Sequence, residues 1–378
     1  VFAGAENSRT HGTNHAGDGW AGRLLYRPYE TPMNIFGWTK TELADALRAE
    51  GIPRFRADQI IRWMYQRGAV SFDVMDNLPK LLRAQLAERF SIERPQVGAR
   101  LTSADGATIK LLYAFADGQT AETVLMRHPY GNSVCVSTQA GCRMGCAFCA
   151  STLHGLARNL TVGEIAAQVI GMADYLRQEG ARVDTIVVMG SGEPMENYDN
   201  VIGALRLLHA GETIGLSYRG MTLSTSGIVP GILRLAEEGL PISLSISLHA
   251  PTEELRSSLM PVNRMYPMAE VLRAAELYAA QTKRRVTYEY ILIRDVNDGV
   301  REAEQLARLL RGQLASVNLI PINPVAERHL FRPPRETVLR FQRILEAHHV
   351  TATVRREMGT DIQAACGQLR SRLMEAGL

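Results

Sequence analysis

From Ser133 onward the chain repeats one unit, a short β-branched and apolar run followed by apolar positions three and four apart. The runs are SVCVST, DTIVVMG, MTLSTSG, ISLSISLHA, RVTYEYILI and SVNLIPIN. Strands alternating with helices require a parallel sheet, because parallel neighbours need a long crossover and the helix provides it. Six such units are too few for a closed eight-stranded barrel. The expected fold is therefore α/β, a partial (β/α)6 barrel over residues 133–378. Ligands of such sheets collect at the carboxyl ends of the strands. Here the segments at those ends hold Cys142 to Cys149, Gly190 to Pro194, Ser224 to Gly227, His249 and Asn323.

The chain before the barrel reads differently. Residues 96–132 contain ATIKLLYAF and AETVLMRH with DG turns between apolar runs, the pattern of a short β-hairpin connector. Residues 34–95 have helical periodicity: TKTELADALRAEG starts at Thr39 or Thr41, and ADQIIRWMYQRG stops at Gly68. This small helical domain interleaves Arg54, Arg56, Arg62 and Arg67 with Phe55, Trp63 and Tyr65. Such a mix grips phosphates and stacks on bases, and it equally describes a small core with a wet rim. Residues 1–33 lack apolar periodicity and read as a flexible extension without assigned function.

Lys and Arg number 42 against 39 for Asp and Glu, a formal charge of +3, which permits nucleic-acid contact without requiring it. No run approaches the roughly 18 apolar residues of a membrane span, and no signal-peptide pattern is present, so a cytoplasmic protein without membrane association is expected. Of five cysteines, three fall within eight residues. That layout is poor for a disulfide framework and better suited to metal or redox chemistry.

The cysteine loop reads GCRMGCAFCAS. Three thiolates, Cys142, Cys146 and Cys149, suffice to hold three irons of a cubane cluster and leave the fourth iron open. A structural zinc would need a fourth ligand, for which His154 is nearest. The C-x3-C-x2-C spacing, with Phe148 before the last cysteine, resembles the radical S-adenosylmethionine superfamily. That resemblance implies a [4Fe-4S] cluster with S-adenosylmethionine bound to its open iron. GSGEP at Gly190 to Pro194 is a glycine-rich turn in which Glu193 is able to accept from a ligand ammonium group.

Cys135 and Cys366 remain, and a buried cysteine is ordinarily an inert small hydrophobe. The segments CVSTQAGCRMGCAFCAST, GLARNLTVGEI, VMGSGEPMENYDNV, TLSTSGIVP, SISLHAPTEELRSSLMPVNR, YILIRDVNDG, NLIPINP and DIQAACGQL resemble together the bacterial radical methyltransferases that act on carbon 2 of an adenosine in 23S ribosomal RNA and in transfer RNA. The resemblance runs from about Phe36 to Leu369. It implies that Cys366 carries the methyl group as S-methylcysteine, that Cys135 resolves the adduct through a transient disulfide with Cys366, and that Glu122 accepts a proton. It implies cofactor contacts at Gly192, Glu193, Ser224, Ser247, Leu248 (through its backbone), His249 and Asn323. It also implies RNA contact by the helical domain, an electron donor such as flavodoxin or ferredoxin, and a monomer. The alternatives are a carbon-8 adenosine methyltransferase of the ribosomal antibiotic-resistance type and a noncatalytic zinc-binding RNA module.

Overall fold

The computed structural model of the chain describes residues 31–323, 328–356, 358–359 and 361–362. It opens with a helical segment. Strand β1 (Met33–Asn34) pairs in parallel with β2 (Phe90–Ser91), and α1 (Lys40–Ala49), α2 (Arg56–Gln66) and α3 (Lys80–Arg89) lie between them. Thr39 caps α1 in a capping box with Glu42, the first of the two expected starts. Gly68, at φ +74°, follows the end of α2. The inward face of this segment is apolar: Leu43, Leu47, Ile60, Ile61 and Met64 are fully buried. Tyr65 belongs to that core as well, its hydroxyl accepting from the Gly37 N–H at 2.9 Å. Phe55, in contrast, is 61% exposed, with the Arg56 guanidinium 4.7 Å from its ring centre.

Three antiparallel strands follow, β3 (Gln96–Thr102), β4 (Thr108–Ala114) and β5 (Thr120–His128), with Gly106 and Gly118 turning the two connections at positive φ. They continue the main sheet, since β5 pairs antiparallel with β6 (Gly131–Cys135). After β6 comes a small antiparallel pair, β7 (Gln139–Gly141) and β8 (Leu156–Asn159), which closes the base of the cysteine loop. Helix α4 (Val162–Gln178), started by a Thr161–Glu164 capping box, leads to β9 (Thr185–Val188).

The strand–helix alternation then runs through α5 (Tyr198–His209), β10 (Met221–Thr225), α6 (Val229–Glu237), β11 (Ser243–Ser247), α7 (Glu253–Leu259), α8 (Met268–Thr282), β12 (Val286–Leu292), α9 (Val300–Leu309), β13 (Ala315–Pro321), α10 (Arg335–Ala347) and β14 (Ala352–Val354). The ten-stranded sheet has the order β14-β13-β12-β11-β10-β9-β6-β5-β4-β3, parallel from β6 to β14. Among the described residues it is open, with β3 and β14 as its edges, as a partial barrel requires. The parallel strand beyond the six expected ones is β14, whose three residues are too short to display alternation. Among the described residues no helix is long and apolar enough to cross a membrane.

Successive strand residues face opposite sides of the sheet. One side carries Val134, Ile186, Leu223, Leu244, Ile246, Tyr288, Val317 and Leu319, all packed into the main core with the helices. The other side is polar, and the register brings Cys135 of β6, Val187 of β9, Thr222 of β10 and Ser243 of β11 into one row.

The helical segment seats on the first turn of α4 through backbone contact. A Cβ placed on Gly163 would lie 2.5 Å from the Phe36 carbonyl oxygen. Because neither backbone has room to yield, Gly163→Ala is expected to lower unfolding stability by about 1–3 kcal/mol, as overpacking does. Urea denaturation measures this, and an unchanged midpoint would mean that the segment does not seat on α4 in this way.

Candidate active site

The cysteine loop hangs from the β7–β8 ladder, and its first residue is tied across the neck by the Cys142 N–H donating to the Gly155 carbonyl at 2.9 Å. Its middle leans on the end of α7, where the Ala147 N–H donates to the Leu259 carbonyl at 2.9 Å. Cys146 packs there among Leu259, Met260, Ile291, Ile293 and Ile322. Burial pushes the Cys142 thiol up to about 12, and the neighbouring Cys149 and glutamates add to the shift. Cys146 is raised for the same reason, burial first and then Cys149 and Cys142. Thiols that raise one another are close together, and iron binding would displace their protons.

After β9 the GSGEP turn is stitched to the strand that leads into this loop. The Thr138 N–H donates to the Ser191 carbonyl at 2.8 Å, the Ser191 N–H to the Ser137 hydroxyl at 2.9 Å, and the Glu193 N–H to the Gln139 side chain at 2.8 Å. Gly192 is required by both backbone and space, since φ is +107° and an added Cβ would meet the Gln139 Cβ at 2.6 Å. Glu193 is buried. One of its oxygens accepts from the Met195 N–H at 3.0 Å and the Thr225 hydroxyl at 2.7 Å, and the other from the Ser226 N–H at 2.7 Å. Burial raises its pKa, and these donors oppose the shift.

His249, just past β11, has left-handed backbone at φ 61°, a conformation uncommon for a side chain other than glycine and frequent at functional sites. Its Nδ1 accepts from the Ile291 N–H at 3.0 Å, which assigns the ring proton to Nε2. Burial, aided by the charge of Arg256, pushes its pKa down to about 3, so the ring is a neutral donor at physiological pH. Its edge meets Phe148 at a centroid distance of 4.7 Å, joining the cysteine loop to the end of β11.

Cys142, Cys146, Cys149, Gly192, Glu193, Ser224, Ser247, His249 and Asn323 all line one cavity of about 270 Å3. Since about 10–15 Å3 is enough to hold one water, this is a ligand site rather than a packing void. Leu248 does not line it: the side chain is fully buried in the main core and its N–H donates to the Glu289 carbonyl at 3.0 Å. Glu122 and Cys135 lie on the same polar side of the sheet but outside the cavity lining. Cys366 lies outside the described residues.

Two further wall residues, and a buried arginine bonded to wall residues, escaped the motif search. Glu289 is buried, accepts from the Asn318 side chain at 2.8 Å, and has its pKa raised by burial against the opposing charge of Arg355. Its signal is a charged residue inside the apolar run RVTYEYILI. Arg355, just past β14, lines the same cavity. Arg256 of α7 is fully buried and holds two strand ends, donating to the carbonyls of Ser226 at 2.7 Å and Ser247 at 3.1 Å.

The donor set fits an iron-sulfur cluster with a small-molecule ligand. Among the described residues no three His, Cys, Asp or Glu side chains are arranged around one metal ion, as a zinc site completed by His154 would demand. A cubane asks for something else, because each thiolate binds its own iron. Ser151 Oγ, buried on the wall, has no hydrogen-bond partner among the described residues, and the glycine-lined turn leaves backbone accessible beside the thiols.

Comparison with known proteins agrees. Residues 136–310 match the Radical SAM superfamily, and residues 33–92 match the Ribosomal RNA large subunit methyltransferase N-terminal domain. The chain is 57% identical over 337 residues to the probable dual-specificity RNA methyltransferase RlmN of Symbiobacterium thermophilum, covering 89% of this chain and 91% of that one. It is 51% identical to the protein of the same name from Geobacillus kaustophilus, over 90% of this chain and 93% of the relative. A crystal structure of a radical SAM methyltransferase from Sphaerobacter thermophilus superposes with a TM-score of 0.87 at 49% identity, over 90% of this chain and 100% of that one.

Replacing Glu193 by Gln puts an amide NH2 where one oxygen now accepts, so a buried donor is left facing donors. Glu193→Gln is expected to lower the stability of the unloaded protein by about 1–3 kcal/mol, read by chemical denaturation without cofactors. An unshifted transition would mean that the carboxylate does not hold the turn to β10.

Proposed function

The chain belongs to the RlmN family of dual-specificity RNA methyltransferases within the radical SAM superfamily, and on that premise we propose that it methylates carbon 2 of an adenosine in 23S ribosomal RNA and in transfer RNA. The observation that carries this reading is the single polar side of the sheet, which gathers Glu122, Cys135 and the cavity residues Ser224 and Ser247.

Carbon 2 of adenine lies between two ring nitrogens and is electron-poor, so it does not attack a sulfonium methyl group by simple displacement. A carbon radical adds there. When bound, the cluster and S-adenosylmethionine supply a methyl group and a 5'-deoxyadenosyl radical able to draw a hydrogen atom from it. Cys142, Cys146 and Cys149 would hold the cluster. Gly192 and Glu193 would receive the methionine part of the cofactor, with Ser224, Ser247, His249, Asn323 and the Leu248 backbone around the remainder. His249 is suited to this as a fixed Nε2–H donor.

Cys366 serves as methyl carrier. Its thiolate takes the methyl group, and the S-methyl carbon, after losing a hydrogen atom, bonds to carbon 2. Glu122 takes the proton that carbon 2 then carries, and the unpaired electron left on the adduct returns to the one-electron donor of the flavodoxin or ferredoxin type that would supply radical formation. The Cys135 thiolate bonds to the sulfur of Cys366, the carbon–sulfur bond breaks, and the freed carbon is protonated to give the methyl product. A two-electron thiol reductant resets the disulfide. The target base must leave its stack to reach this site, and exposed Phe55 with Arg54 and Arg56 offers a stacking and phosphate contact on the helical segment. A monomer acting in the bacterial cytoplasm completes the reading.

Mass spectrometry of digested ribosomal RNA tests it, after anaerobic incubation of reconstituted protein with reductant and methyl-labelled S-adenosylmethionine. The expected label is 2-methyladenosine, lost on Cys366→Ala. Label in 8-methyladenosine would assign the protein to the carbon-8 class, and cofactor cleavage without RNA label would leave only radical formation.

A further inference from the structure

Only Pro129 and Tyr130 join β5 to β6, because His128 pairs with Gly131 across the ladder. Proline at the first turn position presets the backbone. The returning strand is tied at once, the Asn132 N–H donating to the Asp184 side chain at 2.9 Å and the Asn132 amide to the Arg182 carbonyl at 2.9 Å. On this short turn Tyr130 is 77% exposed. Its ring lies against that of His128, with centres 4.7 Å apart and planes 6° from parallel.

The pleat decides which side of the sheet this pair belongs to. Val124 stands opposite Cys135 and His128 opposite Gly131, so Glu122, Val124, Met126 and His128 alternate onto the side that carries Cys135. The residues between them face the other way: Leu125 packs into the main core, and Arg127 pairs with Glu179 at the end of α4 at 2.7 Å. Arg355 links the rings to the cavity. It lines the cavity wall, and its charge, together with that of Arg356 and after burial, lowers the His128 pKa and keeps that ring uncharged at neutral pH. The two rings therefore stand where the polar side of the sheet meets solvent.

A ring this exposed adds little to the core, since burial is what makes an aromatic side chain stabilising. Held on a tied turn and backed by a second ring, it offers instead a preformed flat face at little entropic cost. Such faces stack bases of any sequence. An adenosine that leaves its stack to reach Glu122 and Cys135 carries its neighbours to this same side of the sheet.

We propose that Tyr130, backed by His128, is a stacking platform for an RNA nucleotide next to the target adenosine, holding the strand while the target base enters. This rests on the reading of the protein as an enzyme that methylates adenosine in RNA. Neither ring takes part in a bond change, so the platform acts on binding and positioning.

The test uses protein without cofactors and an RNA hairpin carrying the target adenosine, with 2-aminopurine replacing one adjoining nucleotide at a time. Stacking on an aromatic ring quenches the fluorescence of 2-aminopurine. Wild type should quench one adjoining position. Tyr130→Ala should lose that quenching and raise the Kd for the hairpin about 5–50-fold, whereas Tyr130→Phe and Tyr130→Trp, which keep a flat face, should retain both. In the reconstituted protein, Tyr130→Ala should raise KM for RNA more than it lowers kcat. Wild-type Kd and quenching in Tyr130→Ala would overturn the proposal. Wild-type RNA binding joined to a higher requirement for reduced flavodoxin would overturn it too, giving this surface to the electron donor. Product analysis separates the platform from the reading beneath it. Quenching that depends on Tyr130 without any 2-methyladenosine refutes the carbon-2 reading alone, and methylation indifferent to Tyr130 refutes the platform alone.

Discussion

A β-strand has a period of two, and in this protein that period decides where each chemical group can go. The parallel ladder from β6 to β14 keeps adjacent strands in register, so polar residues on alternate positions form continuous rows on one side. The row through Ser245, Thr287 and Ser316 and the next through Ser247, Glu289 and Asn318 lie on that side, while Leu244, Ile246, Tyr288 and Val317 seal the helices against the other. A slip by one residue in any strand would exchange the two sets. Fold and site therefore depend on the same register.

Burying that many polar groups is costly unless each finds a partner. Glu193 illustrates how the cost is met, with three donors drawn from the turn that follows it and from the end of β10. Arg256 does the reverse with a positive charge, offering its guanidinium to carbonyls at the ends of β10 and β11 and to the Asn263 side chain at 2.6 Å. Its pKa is pushed down to about 10 by burial, which leaves it charged at physiological pH. These networks fix the strand ends that frame the cavity before any cofactor enters.

Much of this was legible in the sequence because it rests on local patterns. The strand–helix alternation reports the parallel sheet, the cysteine spacing reports the loop, and the glycines of GSGEP report a turn in close contact with its neighbour. What escaped detection depends on tertiary placement. β14 is too short to alternate, and the segment containing β3 to β5 reads as a connector because nothing local reveals that β5 will pair with β6. Arg256 reads as one helix residue among many until its burial is seen. Tyr65 reads either as a base-stacking aromatic or as part of a small core, and only the tertiary structure separates the two: it is a core residue bonded to Gly37, whereas Phe55 nearby faces solvent.

The central claim is that the thiol carried on the polar side of the sheet releases a base bound covalently to the protein. The most direct measurement is peptide mapping of RNA-linked protein after anaerobic turnover of the Cys135→Ala variant. The account predicts an adduct that accumulates on this variant, with the RNA carbon attached to the peptide containing Cys366. Absence of any adduct while methylated RNA is still released, or attachment at another residue, would contradict it.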